Sequence, residues 1–291
     1  MPAEHAFRYA GIGDEAGAGL AEQVAAVRRL GWRTIELRTV DGVALADLAE
    51  PDFHSAADMV RNAGLDVVCL ASRIGNWARP VSGDFTLDLH EFEVLAGRCA
   101  VLDTHYVRIM SYPNDGRTES AWRREVLERV QRLTERAEWA GVVLLHENCA
   151  GWASADADRM LWLLDSVDSP ALRLLFDTGN GVAHGYSAYD LLAEIVPLVA
   201  HVHVKDAIAS TTGAGAGPTY TLPGDGQARV ADCLRLLHKH GYGGVLSIEP
   251  HLALLPHEHS THGSDAIERF VAAGRRLHQL VRDELPAGRP R

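Results

Sequence analysis

Cysteine is scarce in this chain, and the few present follow no pairing pattern. The four, Cys69, Cys99, Cys149 and Cys233, include no CxxC pair. That argues against a disulfide framework or a thiolate zinc site and predicts reduced, mostly buried thiols in a cytoplasmic protein. Basic charge is also short. The 28 Lys and Arg against 39 Asp and Glu give a formal charge of −11, whereas a general nucleic-acid binder needs a basic stripe for phosphate contacts. No apolar run approaches the ~20 residues of a membrane span. The start, Met-Pro-Ala-Glu-His-Ala, lacks a basic segment followed by an apolar one, so no targeting leader is expected. A Gly-rich phosphate loop is missing too, because Gly11-Ile12-Gly13-Asp14 is too incomplete to count.

What is present is a regular alternation. Short apolar runs over Phe7–Ile12, Thr34–Leu37, Leu65–Ala71, Thr104–Met110, Val142–His146, Leu172–Phe176, His201–Val204 and Gly244–Ile248 read as strands. Helical spacing appears between them over Leu20–Leu30, Ala121–Ala140, Arg229–His240 and Asp265–Arg282. Gly31, Gly64, Gly141 and Gly241 stand where helices should stop. Eight βα units predict a single (β/α)8 TIM barrel over 1–283, with 284–291 as a tail. Candidate polar residues follow strands all along the chain, not at one switch point, and this favours a barrel over an open doubly wound sheet. Ala207–Gly226 reads as a long loop on the active face, either a lid or a poorly ordered insertion.

Four motifs carry the chemistry. Leu-Leu-His-Glu-Asn, Leu-Phe-Asp-Thr-Gly-Asn, His-Val-His-Val-Lys-Asp and Leu-Ser-Ile-Glu-Pro-His put Glu147, Asp177, His203 and Glu249 at the ends of predicted strands. In a closed barrel those ends converge. Three carboxylates and one imidazole suit one divalent metal, Mn2+ first, with Mg2+, Co2+ or Zn2+ as alternatives.

The same motifs carry a resemblance. With Glu36-Leu37-Arg38, Ser72-Arg73-Ile74-Gly75, Val107-Arg108-Ile109, Asp177-Thr178-Gly179-Asn180 and Gly224-Asp225-Gly226, they occur in order along nearly the whole chain. The chain resembles the sugar phosphate isomerase/epimerase family, the xylose-isomerase-like TIM barrels. The resemblance implies that Glu147, Asp177, His203 and Glu249 bind one metal, and that Glu147 and Glu249 exchange protons on opposite faces of a substrate. The expected reaction is proton transfer through a metal-stabilised enediolate on a sugar, sugar phosphate or related hydroxy-ketone. A lyase of the inosose-dehydratase type, with His184 or His251 as acid, is the alternative within enzymes. A non-catalytic sugar-binding or regulatory barrel is the alternative outside them.

Other residues have candidate roles. Lys205 either holds a substrate oxygen or pairs with Asp206. Arg108, Arg73, Asn76, Asn180 and His184 are candidate substrate contacts. Glu36, Arg38 and His201 are expected behind the ligands, with Glu36 and Arg38 orienting each other. His257-Glu258-His259 and His262 are read as a solvated loop. Trp122, Trp139 and Trp162 are expected in the core, with Trp77 and Trp152 in active-face loops. Asn180 stands where the barrel AP endonucleases and ketohexose 3-epimerases carry a His, which argues against both activities. No nucleic-acid or membrane partner is expected. The resemblance also suggests a homodimer or homotetramer.

Overall fold

The apolar runs do form eight parallel strands. In the computed structural model, which describes residues 7–210, 217–254, 263 and 265–285, these are β1 (Arg8–Gly11), β2 (Thr34–Leu37), β3 (Asp66–Ala71), β4 (Tyr106–Ser111), β5 (Val143–Gly151), β6 (Leu172–Asp177), β7 (Val199–Val204) and β8 (Val245–Ile248). They pair in sequence order around the sheet, and β8 pairs with β1 through Arg8↔Val245 to Gly11↔Ile248. A parallel bridge, Ile12↔Glu36, joins the first strand to the second and leaves the barrel nearly closed.

The helices that cover the sheet are α1 (Leu20–Arg29), α2 (Glu50–Asn62), α3 (Thr86–Leu102), α4 (Glu119–Ala140), α5 (Ala157–Val167), α6 (Asn180–His184), α7 (Ala188–Ile195), α8 (Val230–Lys239) and α9 (Ala266–Glu284). Gly31, Gly64, Gly141 and Gly241 all take positive φ at the expected stops. In α4 the residues Val126, Val130, Leu133 and Ala137 form the buried stripe. Trp139, two residues beyond, rotates off that face. It is 93 % exposed, not in the core as expected. No helix among the described residues is long and apolar enough to cross a membrane. The four cysteines are free. The His257–His262 cluster lies outside the described residues.

Strand alternation sorts the interior into layers. Cys69, Leu145 and Leu175 form an apolar layer. Two residues along β5 and β6, Glu147 and Asp177 occupy the next position facing the same way. On β7 the inward set is His201 and His203, and Lys205 follows directly after the strand. The expected 207–226 loop begins instead as an antiparallel hairpin, Asp206–Ile208 against Thr219–Thr221. Asp206 anchors it: its carboxylate accepts the N–H groups of Ala207, Gly224, Gly226 and Ala228 at 2.9–3.0 Å.

The fifth strand runs five residues past its expected end at His146. The extra length is set by Gly151, whose φ of +105° is a conformation L side chains rarely adopt. A Cβ there would stand 2.2 Å from the Ser111 carbonyl carbon of β4. Gly151→Ala is therefore expected to lower stability by at least ~2 kcal/mol through strain and backbone clash. Thermal unfolding checks this; an unchanged midpoint would contradict it.

Candidate metal centre

Each of the three carboxylates has one oxygen engaged by a fixed neighbour and the other turned toward a common point. Asp177 Oδ1 accepts the N–H groups of Gly179 and Asn180, both at 2.7 Å. Its Oδ2 faces Lys205 Nζ at 3.0 Å, close enough for an ion pair but without hydrogen-bond alignment. Glu147 Oε2 accepts from Arg108 Nη1 at 3.0 Å, while Oε1 lies 3.3 Å from Asn180 Nδ2 and 3.5 Å from His203 Nδ1. Glu249 Oε1 accepts from Arg38 Nη1 at 2.8 Å, while Oε2 meets Lys205 Nζ at 3.0 Å and His203 Nδ1 at 3.6 Å. All four residues are buried.

His203 is oriented from behind. Its Nε2 lies 3.0 Å from Glu36 Oε1, and His201 Nε2 lies 3.0 Å from Glu36 Oε2. Ser247 donates to the same carboxylate at 2.9 Å. Burial pushes the Glu36 carboxyl up, but the two histidines outweigh it and hold it well below the usual carboxylate range. An ionised Glu36 only accepts, so both Nε2 atoms carry hydrogen. That aims His203 Nδ1 at the carboxylates, where it finds no hydrogen-bond partner among the described residues.

The donor set fits one cation. One ligand atom from each of Glu147, Asp177, His203 and Glu249 lies within 4.8 Å of the others. Ligands about 2.1 Å from an ion on opposite sides stand about 4.2 Å apart, so modest contraction would complete the shell. A carboxylate behind a ligating imidazole is the usual means of fixing its tautomer.

Charge governs the surroundings. Burial alone would raise the Glu147 carboxyl; Arg108 and His203 reverse this and hold it at about 2. Glu249 is likewise held well below the ordinary value, chiefly by Lys205 and His251 against the effect of burial. Asp177 moves the other way, because burial outweighs the Lys205 ammonium. Lys205 keeps its charge: burial works against it, and Asp177 and Glu249 more than compensate.

Two expected pairings are replaced. Glu36 and Arg38 do not orient each other. Two residues apart on one strand face, they sit about 6.6 Å apart along the barrel and meet different layers. Arg38 instead binds Asp14, Glu15 and Glu249. Lys205 bridges Asp177 and Glu249, while Asp206 is occupied by the backbone of its own hairpin. Arg73 is engaged by Asp47 and Glu91. Asn76 is buried, and its side chain accepts from Ala78 N at 3.0 Å. His184 is exposed at the end of α6. Sequence reasoning missed Asp14 and Glu15, although a polar pair directly after the first strand was a legible signal. It also missed Asn148, whose amide bonds both N and O of Asp177 at 2.6 and 2.9 Å. A groove of about 700 Å³ between α4 and α5, lined by Trp152 and Trp162, holds none of the four ligand residues; donor chemistry, not groove size, locates the site.

A family profile described as xylose isomerase-like TIM barrel matches residues 24–273. The chain belongs to this family. Its sequence relatives include inosose dehydratase of Clostridium perfringens, 27 % identical over 143 residues, or 45 % of this chain and 48 % of that one. The chain thus spans about half the length of the curated relatives it matches. Similar solved structures include the IolI protein with a bound zinc atom, at TM-score 0.75 and 17 % identity, covering 96 % of this chain and 99 % of that one. L-ribulose 3-epimerase is similar at TM-score 0.69 and 18 % identity, covering 95 % and 96 %. At these identities the structural matches bear on fold alone.

The purified protein is expected to take up about one divalent ion per chain, and Glu147→Ala/Asp177→Ala to take up none. Inductively coupled plasma mass spectrometry after dialysis against Mn2+ reads both. Equal metal in the two proteins would refute the site.

Proposed function

We propose that this barrel is a divalent-metal-dependent isomerase or epimerase acting on a sugar, sugar phosphate or related polyhydroxylated ketone. The observation that carries this reading is the convergence of Glu147, Asp177, His203 and Glu249. The two outer carboxylates, Glu147 and Glu249, flank His203 Nδ1 at 3.5 and 3.6 Å. When bound, a divalent ion, Mn2+ by preference for this oxygen-rich set, acidifies the C–H beside a ketone and stabilises charge developing on its oxygen.

The chain's own groups supply the rest. One carboxylate removes the proton from the carbon next to the carbonyl, and the same or the opposite one returns it. Both are held ionised by neighbouring charges, Glu147 chiefly by Arg108 and Glu249 chiefly by Lys205 and His251, and each therefore starts as a base. Lys205 sits between Asp177 and Glu249 and can turn its ammonium to a substrate oxygen as charge builds there. Arg108 is further fixed by donating to the Ser72 carbonyl at 2.9 Å, so Glu147 keeps its position as the proton moves. Burial of all these groups excludes water from the transfer.

The inosose dehydratases among the relatives favour a second reading. In a dehydratase the same enediolate expels a β-hydroxyl, and that step needs an acid. His251 is the group this reading would use: its Nε2 lies 4.0 Å from Glu249 Oε1 and its Nδ1 meets Glu15 at 3.0 Å.

Incubating the Mn2+-loaded protein in D2O with 2-keto-myo-inositol, D-fructose and L-ribulose separates the readings. An isomerase gives a product of unchanged formula carrying solvent deuterium; a dehydratase gives a product lighter by one water. Glu249→Gln is expected to retain the fold and lose at least ~100-fold in turnover. Near-normal turnover would overturn its assignment as a proton-transfer group.

A further inference from the structure

The hairpin that follows Lys205 places an aromatic residue at the barrel mouth that the proton-transfer chemistry does not use. Tyr220 lies opposite Ala207 in the hairpin register. Its ring stands edge-on to the His251 imidazole, with centroids 4.9 Å apart and planes at 87°. His251 is itself fixed, its backbone N and its Nδ1 both meeting Glu15 at 3.0 Å. Glu15 pairs with Arg38, which also binds Glu249. The other side of the hairpin is held by the Asp206 carboxylate. Tyr220 is therefore braced from two directions.

Tyr220 is only partly buried, and its hydroxyl has no hydrogen-bond partner among the described residues. It nevertheless belongs to the site electrostatically. Burial pushes the phenol up to about 12, and the charges of Lys205, Asp177 and Glu249 act on it. A phenol braced against His251, whose Nε2 lies 4.0 Å from Glu249 Oε1, has the character of a recognition group.

We propose that Tyr220 is a specificity-determining residue whose hydroxyl hydrogen-bonds a substrate hydroxyl on a carbon remote from the two that react. This rests on the reading of the substrate as a polyhydroxylated ketone. The phenol takes no part in proton transfer. It fixes which end of the polyol faces the mouth, and a site with a placed polar group discriminates strongly against an analogue lacking the matching hydroxyl.

The test uses the full chain loaded with Mn2+. Wild type and Tyr220→Phe are compared by calorimetric titration and steady-state kinetics on whichever of 2-keto-myo-inositol, D-fructose and L-ribulose the wild type binds most tightly. Phe keeps the ring and its contact with His251. The expected result is a KM raised about 10-fold, kcat within about twofold and unchanged Mn2+ affinity. Among monodeoxy forms of that ketone, one should bind wild type and variant equally, because the hydroxyl read by Tyr220 is gone. An unchanged KM overturns the proposal. So does a fall in kcat or Mn2+ affinity at constant KM, which would mean that Tyr220 acts by supporting Glu249. A wild type that binds none of the three ketones fails earlier: it removes the polyhydroxylated-ketone reading and the Tyr220 contact with it.

Discussion

Unbalanced negative charge at the mouth of the barrel is the constraint on which the rest of the site depends. Asp14, Glu15, Glu36, Glu147, Asp177 and Glu249 are six buried carboxylates, and Arg38, Arg108 and Lys205 are the permanent cations set among them. At ~4 Å and an effective dielectric near 20, two like charges repel by about 4 kcal/mol. Three cations against six carboxylates leave the cluster short of positive charge. His203 answers part of the shortfall: burial works against its charge, yet Glu36, Glu147 and Glu249 raise its proton affinity well above the ordinary imidazole value. A divalent ion at the same point supplies more charge than that proton and would displace it from Nδ1. The outer salt bridges then have a defined task. Arg38 and Arg108 each take one oxygen of a glutamate and so decide which oxygen is left to face the centre.

Much of this was legible in the residues. The barrel followed from apolar runs of strand length separated by helical spacing, with Gly31, Gly64, Gly141 and Gly241 closing the helices where a positive φ was needed. The convergence of Glu147, Asp177, His203 and Glu249 followed from their places at strand ends, because closing the sheet brings those ends to one mouth. Partners on non-adjacent strands were not legible. Which of Asp14, Glu36 or Glu249 an arginine at position 38 meets depends on how far each strand is staggered around the barrel, and periodicity does not encode stagger. The same limit hid the Lys205 bridge, since Asp206 was the nearer partner in sequence and turned instead to four backbone N–H groups. Trp139 shows the converse error: its residue type suggested burial, while its phase on α4 put it outside.

The division of labour within the site follows strand alternation. Along β7 and directly after it, His201 lies in the layer of Glu36, His203 reaches both Glu36 and the outer carboxylates, and Lys205 joins Asp177 to Glu249. On the proposed reading, moving outward by two residues passes from the group that orients the imidazole to the candidate ligand to the candidate substrate contact. The hairpin starts at the next residue, and Asp206 fixes its geometry. On the function proposed above, recognition of the substrate by the hairpin would be separable from proton transfer by the strand-borne carboxylates.

The most direct measurement is a crystal structure of the Mn2+-soaked protein with an anomalous difference map. The account predicts a single strong peak about 2.0–2.4 Å from an oxygen of each of Glu147, Asp177 and Glu249 and from Nδ1 of His203, with His203 Nε2 still on Glu36. A peak elsewhere, ligation through Nε2, or no peak with Lys205 still joining Asp177 to Glu249 would contradict it.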